Sequence, residues 1–73
     1  MRAEEFQERK VEVGGWMVNI ASYRAGAEWH SKAENVASGA GLARASGATR
    51  EEAEDRVLRR ARHLLARTHR HRV

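Results

Sequence analysis

The sequence predicts a two-layer α+β fold, in which a three- to four-stranded antiparallel sheet is followed by one C-terminal amphipathic helix packed on one face (β-β-β-α). Two observations predict it. The hydrophobic pattern has a period of two residues before residue 48 and a period of three to four after it. Glycines also separate the apolar segments, where turns are needed. We expect a single small domain, residues 1–73, that frays at 1–7 and 68–73.

The N-terminal segment predicts a strand that enters a tight hairpin. Apolar side chains alternate in residues 11–13 and 16–18, on either side of Gly14-Gly15, which is the pattern of two strands joined by a two-residue turn. The preceding residues also have good helix propensity. We therefore predict a strand from about Glu8 and leave residues 2–7 open between strand and helix.

Three later segments complete the predicted sheet. In residues 16–23 and 28–35 successive side chains alternate between two faces, and residues 24–26, Arg-Ala-Gly, supply a turn between these strands. A further strand is expected over about 42–46. The Gly-Ala-Gly cluster at 39–41 precedes a strand and not a helix, so it indicates a bend or β-bulge and not a phosphate-binding loop.

The clearest element is a C-terminal helix over about residues 50–67. Thr49 and Glu52 have the spacing of a capping box, in which each side chain satisfies a backbone amide at the helix start. An apolar stripe of about 140° on the helical wheel follows, formed by Ala53, Val57, Leu58, Ala61, Leu64 and Leu65. Two acid-before-base pairs at i,i+4 spacing also favour the helix, and they are Glu52–Arg56 and Asp55–Arg59.

Composition restricts the class of protein. The chain has no cysteine, so it can form neither a disulfide framework nor a thiolate metal site. It lacks both an apolar run near the roughly 20 residues that span a bilayer and the apolar region of a secretory signal, so we expect no membrane association and a cytoplasmic location. A domain of this size buries only about 60% of its unfolded surface. With one sheet face left bare, we expect a homodimer.

The excess positive charge lies in the last quarter of the chain. Residues 1–48 are neutral, with six basic and six acidic side chains, whereas 49–55 carry one base and four acids, and 56–73 carry seven arginines without an acid. Acid first and base last suits the helix dipole, so a solvated helix is one interpretation. A surface for phosphate or for an acidic partner is the other.

The second interpretation assigns a candidate binding surface to one flank of the helix. Five of its side chains lie within about 100° on the helical wheel beside the apolar stripe, and a frayed tail extends them. The residues expected to contact phosphate or an acidic partner are Arg56, Arg59, Arg60, His63, Arg67, Arg70 and Arg72. Residues 30–73 contain no Phe, Tyr or Trp, so we expect contact with a nucleic-acid backbone and no base stacking.

Metal binding and catalysis find little support in the sequence. Three histidines, His63, His69 and His71, lie near the C-terminal end. His69 and His71 stand two residues apart without a carboxylate nearby in the sequence, so a metal site is not expected. His30 and Ser31 are adjacent in a predicted strand and would point to opposite faces, so they cannot act together as base and nucleophile. We therefore expect no cofactor and no enzyme activity.

Two segments resemble HicB-like antitoxin domains. Residues 11–20, Val-Glu-Val-Gly-Gly-Trp-Met-Val-Asn-Ile, resemble the Gly-Gly-aromatic hairpin of that family. Residues 47–53, Gly-Ala-Thr-Arg-Glu-Glu-Ala, resemble the segment that opens the family's helix. The resemblance implies a small β-β-β-α domain that binds and blocks a partner toxin acting on RNA. Residues 21–46 depart from the family, because they are longer and lack its proline-containing loop.

The function expected from the sequence is a non-enzymatic protein-interaction module, antitoxin-like or regulatory, that pairs with itself and with a partner protein. The alternative is a nucleic-acid backbone binder that uses the basic helix flank and tail. A double-stranded-RNA-binding domain also runs from sheet to helix, but its closing helix opens with lysines. This helix opens with acidic side chains, which disfavours that mode; they are Glu51, Glu52, Glu54 and Asp55.

Overall fold

The structure, a computed structural model, describes residues 4–67. The strands and the helix follow the chain in the order β1 Glu4–Val13, β2 Trp16–Ala25, β3 Glu28–Asn35, β4 Gly41–Gly47 and α1 Arg50–Ala66. The strands form one antiparallel sheet in the order β1-β2-β3-β4, and α1 packs on one of its faces. The predicted α+β fold is therefore confirmed.

The first hairpin has the predicted two-residue turn. Gly14 and Gly15 have φ angles of 57° and 85°, a left-handed conformation that glycine adopts without steric cost. Val13 pairs with Trp16 across the turn. β1 begins four residues before the predicted start at residue 8, and its register shifts between residues 4 and 7.

The second turn begins two residues later than the sequence pattern indicated. Arg24 and Ala25 belong to β2 and pair with Trp29 and Glu28, so the chain reverses after Ala25 and not over residues 24–26. Gly26 takes a φ angle of 66° at the reversal. Because glycine tolerates this left-handed angle, the turn forms at Gly26 and the strands extend up to it.

One face of the sheet forms the core with α1. Val18 and Ile20 of β2 are fully buried beside Ala33 of β3, as the predicted alternation requires. The buried helix residues are Ala53, Val57, Ala61 and Leu65. Each large apolar side chain buried in this way contributes about 1.5–3 kcal/mol, and the small alanines allow the helix to approach the sheet closely.

Two leucines at the margins of the predicted stripe differ in burial. Leu58 is partly buried against the core, whereas Leu64 is 38% exposed. α1 packs mainly on β4 and β3, less on β2, and leaves most of β1 uncovered. Within residues 4–67 no helix is both long and apolar enough to cross a membrane.

The start of α1 is fixed by the predicted pair of side chains. The Thr49 hydroxyl accepts a hydrogen bond from the Glu52 amide at 3.0 Å. The Glu52 carboxylate reaches one residue further back than in a standard capping box and accepts from the Ala48 amide at 2.6 Å. Both predicted i,i+4 ion pairs form, Glu52–Arg56 at 3.2 Å and Asp55–Arg59 at 2.6 Å.

Candidate functional site

A row of aromatic and basic side chains crosses the sheet face opposite α1. Tyr23 of β2 and His30 of β3 are direct cross-strand partners, and their rings stack with centroids 5.4 Å apart and planes 21° apart. Phe6 of β1 lies on the same face and is 56% exposed. The antiparallel register therefore brings together aromatic groups that are far apart in the sequence.

These side chains line a shallow cavity of about 340 Å³, which we call the cross-sheet site. Lys32 and Arg44, cross-strand partners on β3 and β4, supply its positive charge. Among the described residues, those that line it include no acid, and they are Phe6, Tyr23, His30, Ser31, Lys32, Arg44 and Ala45. The surface can therefore offer ring faces and positive charge to one ligand.

A second shallow cavity, also of about 340 Å³, lies between the outer edge of β4 and α1, and we call it the edge groove. It is lined by His30, Arg44, Ala45, Ser46, Arg56 and Arg60, none of them acidic. Three of these residues also line the cross-sheet site, so the two cavities form one continuous surface that passes over β4.

Two arginines of α1 are held in the edge groove by the backbone of β4. Arg56 donates from Nη1 to the Ser46 carbonyl at 2.8 Å, and Arg60 donates from Nη1 to the Arg44 carbonyl at 2.5 Å. Four residues of a helix rise about 6 Å and two residues of a strand about 6.8 Å, so the two spacings match. These bonds occupy carbonyls at the sheet edge and fix both guanidinium groups at the surface.

The structure separates the predicted site residues into three groups. Arg56 and Arg60 lie together in the edge groove. Arg59 points away and pairs with Asp55, its side chain 75% exposed. His63 and Arg67 are exposed further along the helix. The two remaining predicted contacts lie outside the described residues, and they are Arg70 and Arg72.

Sequence reasoning missed the part of the site that the sheet supplies. Residues 30–73 contain no Phe, Tyr or Trp, but Tyr23 and Phe6 reach the basic groups across the strands. Arg44 was likewise not assigned to the basic surface. The period-two pattern places Tyr23, His30, Lys32 and Arg44 on one face only once the strand order and register are known.

The buried polar residues on the helix side of the sheet belong to a different cluster. Ser31 is 2% exposed and bonds to Ser22, so it faces away from His30, as the strand alternation predicted. Within residues 4–67 there is no group of three or more His, Asp or Glu side chains placed to hold a metal ion. The histidines at 69 and 71 lie outside the described residues.

Comparisons of the chain with protein-family models, with curated proteins and with solved structures find no match. The resemblance of residues 11–20 and 47–53 to HicB-like domains stays an expectation drawn from the sequence.

Proposed function

We propose that the protein is a non-enzymatic cytoplasmic module that binds single-stranded nucleic acid across the open face of its sheet. The observation that carries the proposal is the continuity of the cross-sheet site with the edge groove. In this arrangement a base stacks against Tyr23 and His30, and the phosphates follow Arg44 toward Arg56 and Arg60. Proteins that bind single strands combine an aromatic stacking platform with a basic groove in this way.

Geometry supports a single strand over a duplex. Stacking requires bases with accessible faces, which single strands present and double helices hide. The first two turns of α1 carry exposed acidic side chains at Glu51 and Asp55, which would repel a duplex lying along the helix. The basic groups instead lie at the β4 edge, next to the stacked rings.

An acidic segment of a partner protein is the competing occupant of the same surface. It corresponds to the protein-interaction role expected from the sequence, including an antitoxin-like one. The same arginines that contact phosphates can pair with carboxylates, but carboxylates would not use the ring faces of Tyr23 and Phe6. The stacked aromatic pair therefore favours nucleic acid.

The test is fluorescence anisotropy with a labelled oligouridine of about 12 nucleotides, within the range that small single-strand-binding domains cover. Tyr23→Ala removes a stacking platform and is expected to weaken binding by about 5- to 100-fold with the salt dependence unchanged. Arg44→Ala is expected to weaken binding and to lower the slope of log K against log salt by about 0.7, the value for one phosphate contact on a single strand.

The matched control is Arg62→Ala, because Arg62 is exposed on α1 and lines neither cavity. It removes the same charge and should leave affinity within about twofold. Oligoglutamate that competes as well as oligouridine of equal charge would assign the surface to an acidic protein segment. Absence of binding at about 50 mM salt, where phosphate contacts are strong, would end the proposal.

A further inference from the structure

The outer edge of β1 is available for backbone pairing. The Met17 carbonyl of β2 accepts a hydrogen bond from the amide of Val36, the residue that directly follows β3. The backbone groups of odd-numbered residues in β2 therefore bond toward β3, and those of even-numbered residues bond toward β1. Their partners in β1 are the odd-numbered residues up to Val13. The N–H and C=O groups of Glu8, Lys10 and Glu12 therefore point outward, away from the sheet.

The two edges of the sheet differ in what covers them. At the β4 edge, Arg56 and Arg60 occupy outward carbonyls and block the addition of a strand. At the β1 edge, no described element packs alongside, because α1 packs mainly over β4 and β3 at the far end of the sheet. Among residues 4–67, β1 is therefore the edge on which a further strand can add.

The geometry of β1 limits which part of the edge can pair. Glu5 has a φ angle of 54°, and the register shifts between Glu4 and Gln7, so the strand is irregular before residue 7. From Gln7 to Val13 the pairing with β2 is continuous. The regular edge is thus a seven-residue segment.

A second copy of the chain is the occupant that the charges of this segment fit. When β1 pairs antiparallel with β1 of a second copy, residues whose N–H and C=O groups point outward must lie opposite one another. These are the even-numbered residues, so the numbers of two opposite residues add up to an even number. The two-fold axis therefore passes through one residue and not between two. An axis at Lys10 places Lys10 against its own copy. An axis at Arg9 pairs Glu8 with Lys10 but places the two Arg9 side chains together. An axis at Val11 instead pairs Lys10 with Glu12 of the second copy, twice, and brings the two Val11 side chains together.

Side-chain environments favour the axis at Val11. Val11 is partly buried against the core and lies in β1, most of which α1 leaves uncovered. A second Val11 therefore extends the apolar surface across the axis. The Glu8 carboxylate already accepts a hydrogen bond from the side-chain Nδ2 of Asn19 at 3.2 Å. Lys10 and Glu12 take part in none of the ion pairs among the described side chains.

We propose that two copies pair through antiparallel β1 edges, with the two-fold axis at Val11 and Lys10 opposite Glu12 of the second copy. The product is an eight-stranded sheet with both helices on one face and both cross-sheet sites on the other. This inference rests on the β1 edge alone and is independent of nucleic-acid binding. An axis at Val11 pairs residues 9–13 of one copy with residues 9–13 of the other. Strand pairing over five residues buries little area, so we expect a dissociation constant in the micromolar range.

A charge-reversal series measured by sedimentation velocity tests the pairing. Lys10→Glu and Glu12→Lys each place like charges together twice and should weaken dimerisation by at least about tenfold. They change the net charge in opposite directions, so a shared loss does not come from net charge. The double variant K10E/E12K exchanges the two charges and should restore the dimer to within about threefold of the original chain.

Single cysteine substitutions test the register of the pairing, because the chain has no cysteine of its own. Two Val11→Cys side chains would face each other in a non-hydrogen-bonded pair with Cα atoms about 4.5 Å apart, within the range for a disulfide. Under mild oxidation V11C should therefore form a covalent dimer, whereas R9C, displaced from the axis, should not. Circular dichroism of each variant checks folding.

Three results would overturn the proposal. The first is a chain that stays monomeric over about 5–500 µM, a range that brackets weak interfaces. The second is a K10E/E12K variant that dimerises no more tightly than the single variants. The third is a covalent dimer that R9C forms in preference to V11C. None of these depends on whether oligouridine binds, so failure here and failure of the proposed function can be told apart.

Discussion

Glu54 connects the helix to the sheet through a polar cluster inside an otherwise apolar interface. Its side chain is 13% exposed, and its carboxylate accepts from Ser22 Oγ at 2.6 Å and pairs with Arg9 at 3.0 Å. Ser22 has one proton and donates it to Glu54, so Ser31 donates to Ser22 at 3.0 Å. Every buried hydroxyl in the cluster thus has a partner, and the cluster fixes the position of α1 over β2 and β3.

At the residue scale, we expect Glu54→Ala to lower the free energy of unfolding by about 1–3 kcal/mol, because it leaves the fully buried Ser22 hydroxyl without its acceptor. Urea unfolding measures the change. Asp55→Ala is the matched control, since Asp55 makes an exposed i,i+4 pair with Arg59 and should cost about 0.5 kcal/mol or less. Equal losses for the two variants would contradict a structural role for the cluster.

Gly47 joins the last strand to the helix at a point of close packing. A Cβ atom at this position would lie 2.8 Å from Glu52 Oε1 and 3.0 Å from the Ala53 amide nitrogen. The side chain of Glu52 is held there because it accepts from the Ala48 amide. The capping interaction and the small residue before it therefore depend on each other, and together they set the angle at which α1 leaves β4.

At the element scale, Gly47→Ala should destabilise the protein by about 1–3 kcal/mol through overpacking at this junction. The matched control is Gly41→Ala at the other end of β4, where a Cβ would meet nothing within 4 Å. That variant should be neutral or slightly stabilising, because it restricts the unfolded chain. Thermal unfolding of both variants makes the comparison, and a neutral Gly47→Ala would show that the Glu52 carboxylate can move aside at little cost.

The whole molecule is unevenly stabilised, because the helix covers only part of the sheet. α1 packs mainly on β4 and β3, while β1 is held by its pairing with β2 and by long side chains that reach it from the helix. Glu54 of α1 pairs with Arg9 of β1, and Arg50 of α1 donates a hydrogen bond to Gln7 of β1. β1 is therefore the strand with least burial to hold it, and it is also the proposed dimer edge.

At the scale of the whole molecule, amide hydrogen exchange in dilute, monomeric protein should be at least about tenfold faster for Arg9 and Val11 than for Ser31 and Ala33. The first two amides bond to β2 from an uncovered edge strand, whereas the second two lie in a central strand beneath α1. Nuclear magnetic resonance resolves the individual amides. Uniform protection would indicate that the sheet opens only as one cooperative unit.

Local chemistry in the sequence determined the strands, the first turn and the helix. The Gly14-Gly15 pair specified the hairpin, and the Thr49 cap with the stripe through Val57 and Leu65 specified α1, because each signal acts over a few neighbouring residues. Arg56 and Arg60 were also predicted as surface groups, since helical periodicity places them on one flank. These features need no information about distant contacts.

Only the tertiary structure decided which other side chains lie beside Arg56 and Arg60. Tyr23, His30 and Arg44 meet because three strands pair in one particular register, and a shift of one residue would turn each side chain to the other face. The uncovered β1 edge likewise follows from where α1 lies on the sheet. Register and helix position arise from packing of the whole core, which no short segment of the sequence encodes.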